Sequence, residues 1–163
     1  DMGAATVVDL SRHPNIIGIK DSGGRVAKIG QIVQRTGADF FVLTGAGATF
    51  FPALTMGASG GILALANLAP AACIEIFRRH AAGGWEAARK LQARLIPLNT
   101  LISSKLGPPG IKAALDILGY YGGPVRPPLL PPSDGDRAAL RAVLAEAGLR
   151  SKAQSYTPGG EGE

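Results

Sequence analysis

Lys20 stands where an amine could act as a nucleophile. It closes the short apolar run 16–19 and precedes the polar loop 21–24. An amine at the carboxyl end of a parallel strand faces the side on which α/β proteins place their active sites. Removing an ammonium group from water favours its neutral form, which can condense with a ketone to give a Schiff base. The same pattern also fits a lysine that leaves the strand for solvent, since lysine is rarely buried without a partner.

Two further positions could contact a small ligand. Ser22 could donate a hydrogen bond to a substrate carboxylate, and a serine at this place could equally cap the following helix. Gly45 opens the segment 45–50, GAGATF, which begins like a dinucleotide-binding loop but has Phe50 where the third glycine belongs. Because Gly45 has no side chain, it could instead allow the backbone to lie close to a small ligand, or it could simply form a turn at the strand end.

Other residues that often carry chemistry are expected to play structural parts. His13 precedes a proline and His80 lies in a predicted helix, and neither has carboxylates at metal-ligand spacing. Cys73 is the one cysteine, which excludes an intramolecular disulfide and a cysteine-based zinc site. Asn67 ends the third predicted strand, where it could face a pocket or bond to nearby backbone. We therefore expect no metal site.

The elements that must position these residues follow one another as strand, loop and helix, three times. Chain distances of 25 residues from Lys20 to Gly45 and of 22 from Gly45 to Asn67 suit consecutive βα units with parallel strands. Three such strands cannot close a sheet on itself. The predicted strands lie at 16–20, 40–44 and 61–66, and the helices around them at 3–12, 25–35 and 50–56.

The rest of the chain is predicted to be mostly helical. Pro97 lies inside the second of these helices and should kink it. Ser133 or Asp134 can cap the last helix, and the proline-rich segment 119–132 before it is expected to be extended or a loop. The four helices are predicted at 71–82, 85–103, 110–118 and 136–147.

Composition and charge exclude several classes of protein. The chain has 163 residues, of which 46% are hydrophobic and 18% charged, as in a globular domain. The net charge of +5 comes from scattered residues, with no run of Lys or Arg longer than two, so no nucleic-acid partner is expected. The most apolar stretch, 60–77, is broken by Asn67, Pro70 and Glu75, so no membrane span is expected. No targeting segment is visible, and the start at Asp1 predicts a piece of a longer protein.

Four segments carry a resemblance to a known superfamily. They are HPNIIGIKDSGG at 13–24, FFVLTGAG at 40–47, GASGGILALANLAP at 57–70 and LGPPGIKAALDILGYYGGPVRPPL at 106–129. In this order they resemble the pyruvate-dependent aldolases, which include dihydrodipicolinate synthase and N-acetylneuraminate lyase, and the resemblance covers residues 1–150. The phrases LSRHPNIIGIKDSGG and GYYGGPVRPPL are most similar to the mitochondrial type of 4-hydroxy-2-oxoglutarate aldolase.

The resemblance implies an α/β fold, namely the C-terminal part of a (β/α)₈ TIM barrel followed by helices. The three predicted strands, about three βα units, would be the sixth to eighth of that barrel. The chain would then divide into a partial barrel over 1–69, a C-terminal helical region over 70–150 and a disordered, polar and glycine-rich tail over 151–163.

The resemblance also assigns roles to particular residues. Lys20 matches the Schiff-base lysine, Ser22 a serine that contacts substrate, and Gly45 a glycine whose backbone lies against the substrate carboxylate. Ile62 would lie near the pocket. The first five strands are absent, and with them the hydroxyl-bearing pair that holds the pyruvyl carboxylate and the tyrosine that relays protons. The tyrosines at 120–121 cannot be matched to that tyrosine, because they follow the last strand.

The resemblance implies enzyme chemistry without metal or organic cofactor, because the lysine imine itself takes up the electrons of the broken bond. When complete, the enzyme would cleave 4-hydroxy-2-oxoglutarate to pyruvate and glyoxylate in mitochondria, as a dimer or tetramer acting on a small 2-oxo acid. Two alternatives remain: a dihydrodipicolinate synthase or other pyruvate-dependent aldolase, and a non-catalytic half-barrel that associates with full-length subunits. The residues that recognise the second substrate are expected mostly outside this chain.

Overall fold

Three short parallel strands form the sheet that carries the predicted site. The computed structural model describes residues 1–151. Its strands, in sheet order, are β1 (Gly18–Asp21), β2 (Phe41–Thr44) and β3 (Gly60–Gly61). Lys20 pairs with Leu43 and Asp21 with Thr44, so β1 and β2 end at the same level. The loops that follow these two strands therefore start side by side.

Helices cover one face of this sheet. The compact unit that holds the sheet, Asp1–Asn99, contains the helices α1 (Ala4–Leu10), α2 (Val26–Arg35), α3 (Phe50–Thr55), α4 (Pro70–Ala81) and α5 (Trp85–Asn99). The first three of these helices supply side chains to the core against this face. Val42 of β2 is 1% exposed and packs in one cluster with Val7 of α1 and with Ile29 and Ile32 of α2. The apolar residues of α2 recur at helical spacing, so the helix buries a single stripe against the sheet.

The opposite face of the sheet is open. Side chains alternate across a strand, so Gly18, Lys20, Phe41 and Leu43 share this face. Phe41 is 51% exposed. A cavity of about 430 Å³ opens there, lined by these four residues together with Ile17, Ile19 and Ser59. The sheet is thus buried on its helix side and open on the side of Lys20, and we call this side the open face.

The second compact unit holds a π-helical segment and two α-helices. These are Thr100–Lys105, α6 (Pro108–Ile117) and α7 (Asp134–Glu146). Ser133 is the N-cap of α7, and its side chain and that of Asp136 bond to each other's backbone amides in a capping box. Lys112 and Asp116 of α6 hold the backbone oxygen and nitrogen of Gly122 at 2.6 and 2.8 Å. These two bonds hold the chain against α6 at Gly122, within the segment 119–132, which forms neither helix nor strand.

The predicted third strand, 61–66, is wrong over most of its length. The chain pairs with β2 only at Gly60–Gly61 and then forms a 3₁₀ turn at Ala64–Asn67. Alanine and asparagine are both depleted in strands, and the structure gives β3 one neighbouring strand rather than two. The first strand is displaced as well. Its pairing with β2 begins at Gly18, two residues later than predicted, and ends at Asp21, one residue later.

The predicted helix 85–103 changes its hydrogen bonding near its end. Regular α-helix stops at Asn99, and the amide of Leu106 then donates to the carbonyl of Leu101, five residues back, at 2.9 Å. Pro97 has no N–H to donate to the carbonyl of Ala93, four residues before it, and the wider π-helical turn begins three residues after this proline. The remaining helices lie within two residues of the predictions. Of the tail predicted as disordered, residues 152–163 lie outside the described residues.

Candidate active site

Lys20, Ser22 and Gly45 meet where β1 and β2 end. The amide of Gly45 donates to the carbonyl of Asp21 at 2.7 Å, which extends the ladder one residue past the strands. A Cβ atom placed on Gly45 would lie 2.5 Å from Cε of Lys20 and 3.0 Å from Cβ of Ser22, and against its hydroxyl. Ser22 does not cap α2, whose N-cap residue is Arg25. The three residues singled out from the sequence therefore surround one small volume at the mouth of the open face.

Glycine at position 45 provides space rather than a free hydrogen-bond donor. Its N–H is already bonded to Asp21, and the next amide, of Ala46, donates to Oγ1 of Thr44 at 3.2 Å. A ligand that approaches this strand end would meet the bare Cα of Gly45, with the Ser22 hydroxyl and the Lys20 amine beside it. The hydroxyl and the amine are thus the polar groups that this corner offers to a small carboxylate or ketone.

Gly45→Val is expected to raise KM or abolish turnover while leaving the fold largely intact. The added side chain would displace Lys20 and Ser22, whose ends are mobile, rather than a rigid part of the core. We expect kcat/KM to fall by about tenfold or more, which corresponds to losing roughly 1.4 kcal/mol of transition-state binding. Steady-state kinetics and a thermal melt of the longest natural polypeptide that contains residues 1–163 measure the two effects. Gly37→Val is the matched control, because a Cβ at Gly37 meets nothing within 4 Å.

Normal kinetics for Gly45→Val would contradict a substrate contact at this position. An unfolded variant would instead point to the simple turn that the sequence also allowed.

The surroundings of Lys20 combine an apolar wall with access to solvent. Phe41 and Leu43 lie beside it on the open face, and Ser59 lines the same cavity. Lys20 itself is exposed. The cavity is large enough for a small oxo acid, and it leaves the amine reachable from solution. Further cover over the open face would be needed to remove the amine from water.

A buried ion pair lies on the helix side of β1. Asp21 and Lys28 are 6% and 5% exposed, and the Lys28 ammonium donates to the Asp21 carboxylate and, at 2.7 Å, to Asp1. Burial by itself would raise the pKa of the Asp21 carboxyl. Hydrogen bonds from Lys28 and from the Gly23 amide, with the charges of Lys28 and Arg25, outweigh burial and hold that pKa below its ordinary value. Asp21 is therefore a carboxylate at neutral pH.

Gln92 of α5 holds the turn that follows β2. It is 4% exposed, accepts a hydrogen bond from the Phe51 amide at 2.8 Å and donates to the carbonyl of Gly47 at 3.0 Å. Gln92 was not among the candidate residues predicted from the sequence. A signal was present, because Gln92 lies on the same helical face as the buried residues Ala88 and Leu95. A polar residue on an apolar helix face predicts a buried hydrogen bond.

The other candidate residues have structural partners. His13 accepts from the Asn15 amide at 3.2 Å within a turn, and His80 packs edge to face on Phe51 with ring centres 6.0 Å apart. Asn67 donates to the carbonyl of Ala64 at 3.1 Å, which is the backbone alternative foreseen for it.

Ile62 and Cys73 stand apart from the Lys20 cavity. Ile62 is 58% exposed and does not line it. Burial raises the pKa of the Cys73 thiol to about 11, so this thiol stays protonated at neutral pH. Within residues 1–151, no three histidine, cysteine or acidic side chains lie close enough to share a metal ion. Over the same residues, no helix is both long and apolar enough to cross a membrane.

The sequence matches a family model over nearly all of the described residues. Residues 1–147 match the Dihydrodipicolinate synthetase family, and the chain belongs to this family. The 4-hydroxy-tetrahydrodipicolinate synthase of Ruegeria pomeroyi is 38% identical over 149 residues, which are 91% of this chain and 51% of the relative. The chain spans about half the length of the curated relatives it matches.

Solved structures agree with this membership. The 4-hydroxy-tetrahydrodipicolinate synthase of Methylacidiphilum fumariolicum SolV superposes with a TM-score of 0.85 and 30% identity over 91% of this chain and 50% of its own. The chloride-inhibited dihydrodipicolinate synthase of Acinetobacter baumannii, complexed with pyruvate, gives the same TM-score and identity over 91% and 51%. The superfamily resemblance is thus confirmed. The names of these relatives favour the dihydrodipicolinate synthase alternative over 4-hydroxy-2-oxoglutarate aldolase.

Proposed function

We propose that this chain carries the Schiff-base lysine and part of the substrate site of a pyruvate-dependent carbon–carbon lyase. The observation that carries the proposal is the convergence of Lys20, Ser22 and Gly45 at the carboxyl ends of two parallel strands. A family member solved with pyruvate supports a 2-oxo acid as the ligand. In this assignment Lys20 is the nucleophile, the Ser22 hydroxyl binds the carboxylate, and Gly45 leaves the space that the ligand occupies.

The reaction begins when the neutral amine of Lys20 attacks the C2 carbonyl of the 2-oxo acid. Loss of water from the addition product gives a protonated imine that joins Nζ to C2. In the cleavage direction the hydroxyl on C4 gives up its proton to solvent, the bond between C3 and C4 breaks, its electron pair enters the imine, and an aldehyde leaves. The enamine that remains takes a proton at C3, and hydrolysis returns pyruvate and the free amine. In the synthetic direction the same enamine attacks a second substrate instead.

We propose that further βα units complete the site, as in a (β/α)₈ barrel. β1 and β3 each pair with β2 alone within the described residues, so each has an edge that another strand could occupy. The open face leaves Phe41 half exposed, whereas the interior of a closed barrel is filled by side chains. The relatives are about twice as long as the match. Additional strands would cover the open face and remove Lys20 from water.

Two reactions share the first steps and differ in the second substrate. Synthesis of 4-hydroxy-tetrahydrodipicolinate is favoured by the names of the relatives. Cleavage of 4-hydroxy-2-oxoglutarate is the second candidate, favoured by the phrases at 10–24 and 119–129. A mitochondrial location and assembly into dimers or tetramers stay predictions from the resemblance, as does association of this chain with full-length subunits.

A two-substrate assay separates the candidate reactions. The protein to use is the longest natural polypeptide that contains residues 1–163. Where none is longer, residues 1–147 are fused to the C-terminal end of the first half of the Ruegeria pomeroyi synthase. Either protein is called the completed protein below. We expect it to form an imine with pyruvate and to make 4-hydroxy-tetrahydrodipicolinate. Release of glyoxylate from 4-hydroxy-2-oxoglutarate by the natural polypeptide would establish the second candidate. Absence of both activities together with absence of the imine would contradict the proposed function.

A further inference from the structure

Asp21 connects three pieces of the chain behind the strand end that bears Lys20. Its carboxylate accepts hydrogen bonds from the Gly23 amide at 3.0 Å and from Lys28 in the first turn of α2. Its carbonyl accepts from the Gly45 amide at 2.7 Å. One residue thus ties β1 to the loop that holds Ser22, to α2 and to the end of β2.

Alternation along the strand separates this cluster from the site while keeping the two adjacent. Lys20 points to the open face and Asp21 to the helix side, where Asp21 and Lys28 are both almost fully buried. The ion pair can therefore affect the position of Lys20 only through the backbone of β1. The charged groups near Asp21 on the helix side are Lys28, Arg25 and Asp1. Lys28 pairs with Asp21 and with Asp1, and Arg25 pairs with Asp1.

We propose that Lys28 and Asp21 are positioning residues, whose buried ion pair fixes the end of β1 so that Lys20 and Ser22 face the same ligand. This inference rests on the proposed function for its chemistry. Neither residue touches the ligand in this account. Removing the ammonium leaves a buried carboxylate without its main partner, which is strongly unfavourable, so the strand end must shift or open.

Four variants of the completed protein test the inference. Lys28→Met removes the ammonium at similar length, and Lys28→Arg keeps a cation at the same place. The double variant Asp21→Asn with Lys28→Met removes both charges of the ion pair, so neither residue leaves an unpaired charge behind. It keeps the test possible if Lys28→Met alone is too unstable to purify. Lys112→Met is the matched control, because Lys112 also donates a hydrogen bond, to the carbonyl of Gly122, but lies far along the chain.

Two readouts are compared across these variants. Hydrogen exchange at the Gly23 and Gly45 amides reports the strand end without turnover. The rate of borohydride trapping of pyruvate, measured against pyruvate concentration, separates the trapping step from binding. We expect Lys28→Met to exchange these amides at least tenfold faster and to trap pyruvate at least tenfold more slowly at saturation. We expect Lys28→Arg to stay near wild type, and the double variant to regain thermal stability while trapping stays slow.

The positioning role would be overturned if the rate of pyruvate trapping simply followed thermal stability across the variants. In that case the double variant would regain the wild-type trapping rate together with its stability. Unchanged exchange at Gly23 and Gly45 in Lys28→Met and in the double variant would overturn it as well. A wild-type protein that never traps pyruvate, yet whose amides respond to Lys28→Met, would contradict the proposed function and leave the role of the ion pair in fixing the strand end supported.

Discussion

Lys20→Arg in the completed protein is expected to leave only a small residue of the carbon–carbon lyase activity. The guanidinium keeps the positive charge but stays protonated and cannot condense with a ketone. We expect kcat to fall by at least about a hundredfold, because the variant cannot form the covalent imine through which the reaction proceeds. The measurement is steady-state turnover in both candidate reactions. Lys90→Arg, an exposed lysine on α5, is the control and should retain wild-type rates.

The structure makes Lys20→Arg a sharp test, because Lys20 is not part of the core. Its side chain lies on the open face, outside the apolar cluster that packs β2 against α1 and α2, so the substitution removes none of that packing. A thermal melt should therefore be close to that of the wild type. Substantial turnover by Lys20→Arg, at unchanged stability, would show that another group is the nucleophile.

The chain of residues 1–163 by itself is expected to be inactive and to associate with itself. Within residues 1–151 the strands β1 and β3 each have one unpaired edge, and large apolar residues such as Phe41 and Ile62 are more than half exposed. Each large apolar side chain left in water forfeits about 1.5–3 kcal/mol. Because a whole domain is stable by only about 5–15 kcal/mol, a handful of such losses is enough to cancel it. Lys20 would also stay in contact with water.

Light scattering, thermal unfolding and turnover measure this prediction, with the completed protein as the reference. We expect polydisperse particles, a broad melt without a cooperative transition, and no measurable turnover. A monodisperse chain that melts cooperatively and turns over substrate would refute the view that the open face needs a cover.

The meeting of Lys20 with Gly45 could be predicted from the sequence because each of the two strand ends is marked by its own local residues. Short apolar runs that end in polar or glycine residues indicate strand ends, and parallel strands of adjacent βα units end at one edge of the sheet. The pattern alone left Ser22 open between a ligand contact and a helix cap. The structure decides against the cap, because Arg25 occupies that position.

Other features depend on which elements pack against one another and leave weaker traces in the sequence. Lys28 lies in the first turn of α2, and its charge suggests a surface residue. Its burial depends on Asp21 and Asp1 lying opposite it. The run 61–66 has the apolar residues of a strand, yet strand pairing there needs a neighbour that the described residues do not provide. Hydrophobic pattern predicts which faces are buried, while pairing partners must be supplied by the fold.

Borohydride trapping of pyruvate tests most directly whether Lys20 is the covalent nucleophile. The completed protein is incubated with pyruvate and sodium borohydride, digested, and searched by mass spectrometry for lysines that carry the reduced adduct. We expect one modified lysine, Lys20, with no adduct when either pyruvate or borohydride is omitted and none in Lys20→Arg. An adduct on a different lysine, or active protein that forms no adduct at all, would contradict the assignment.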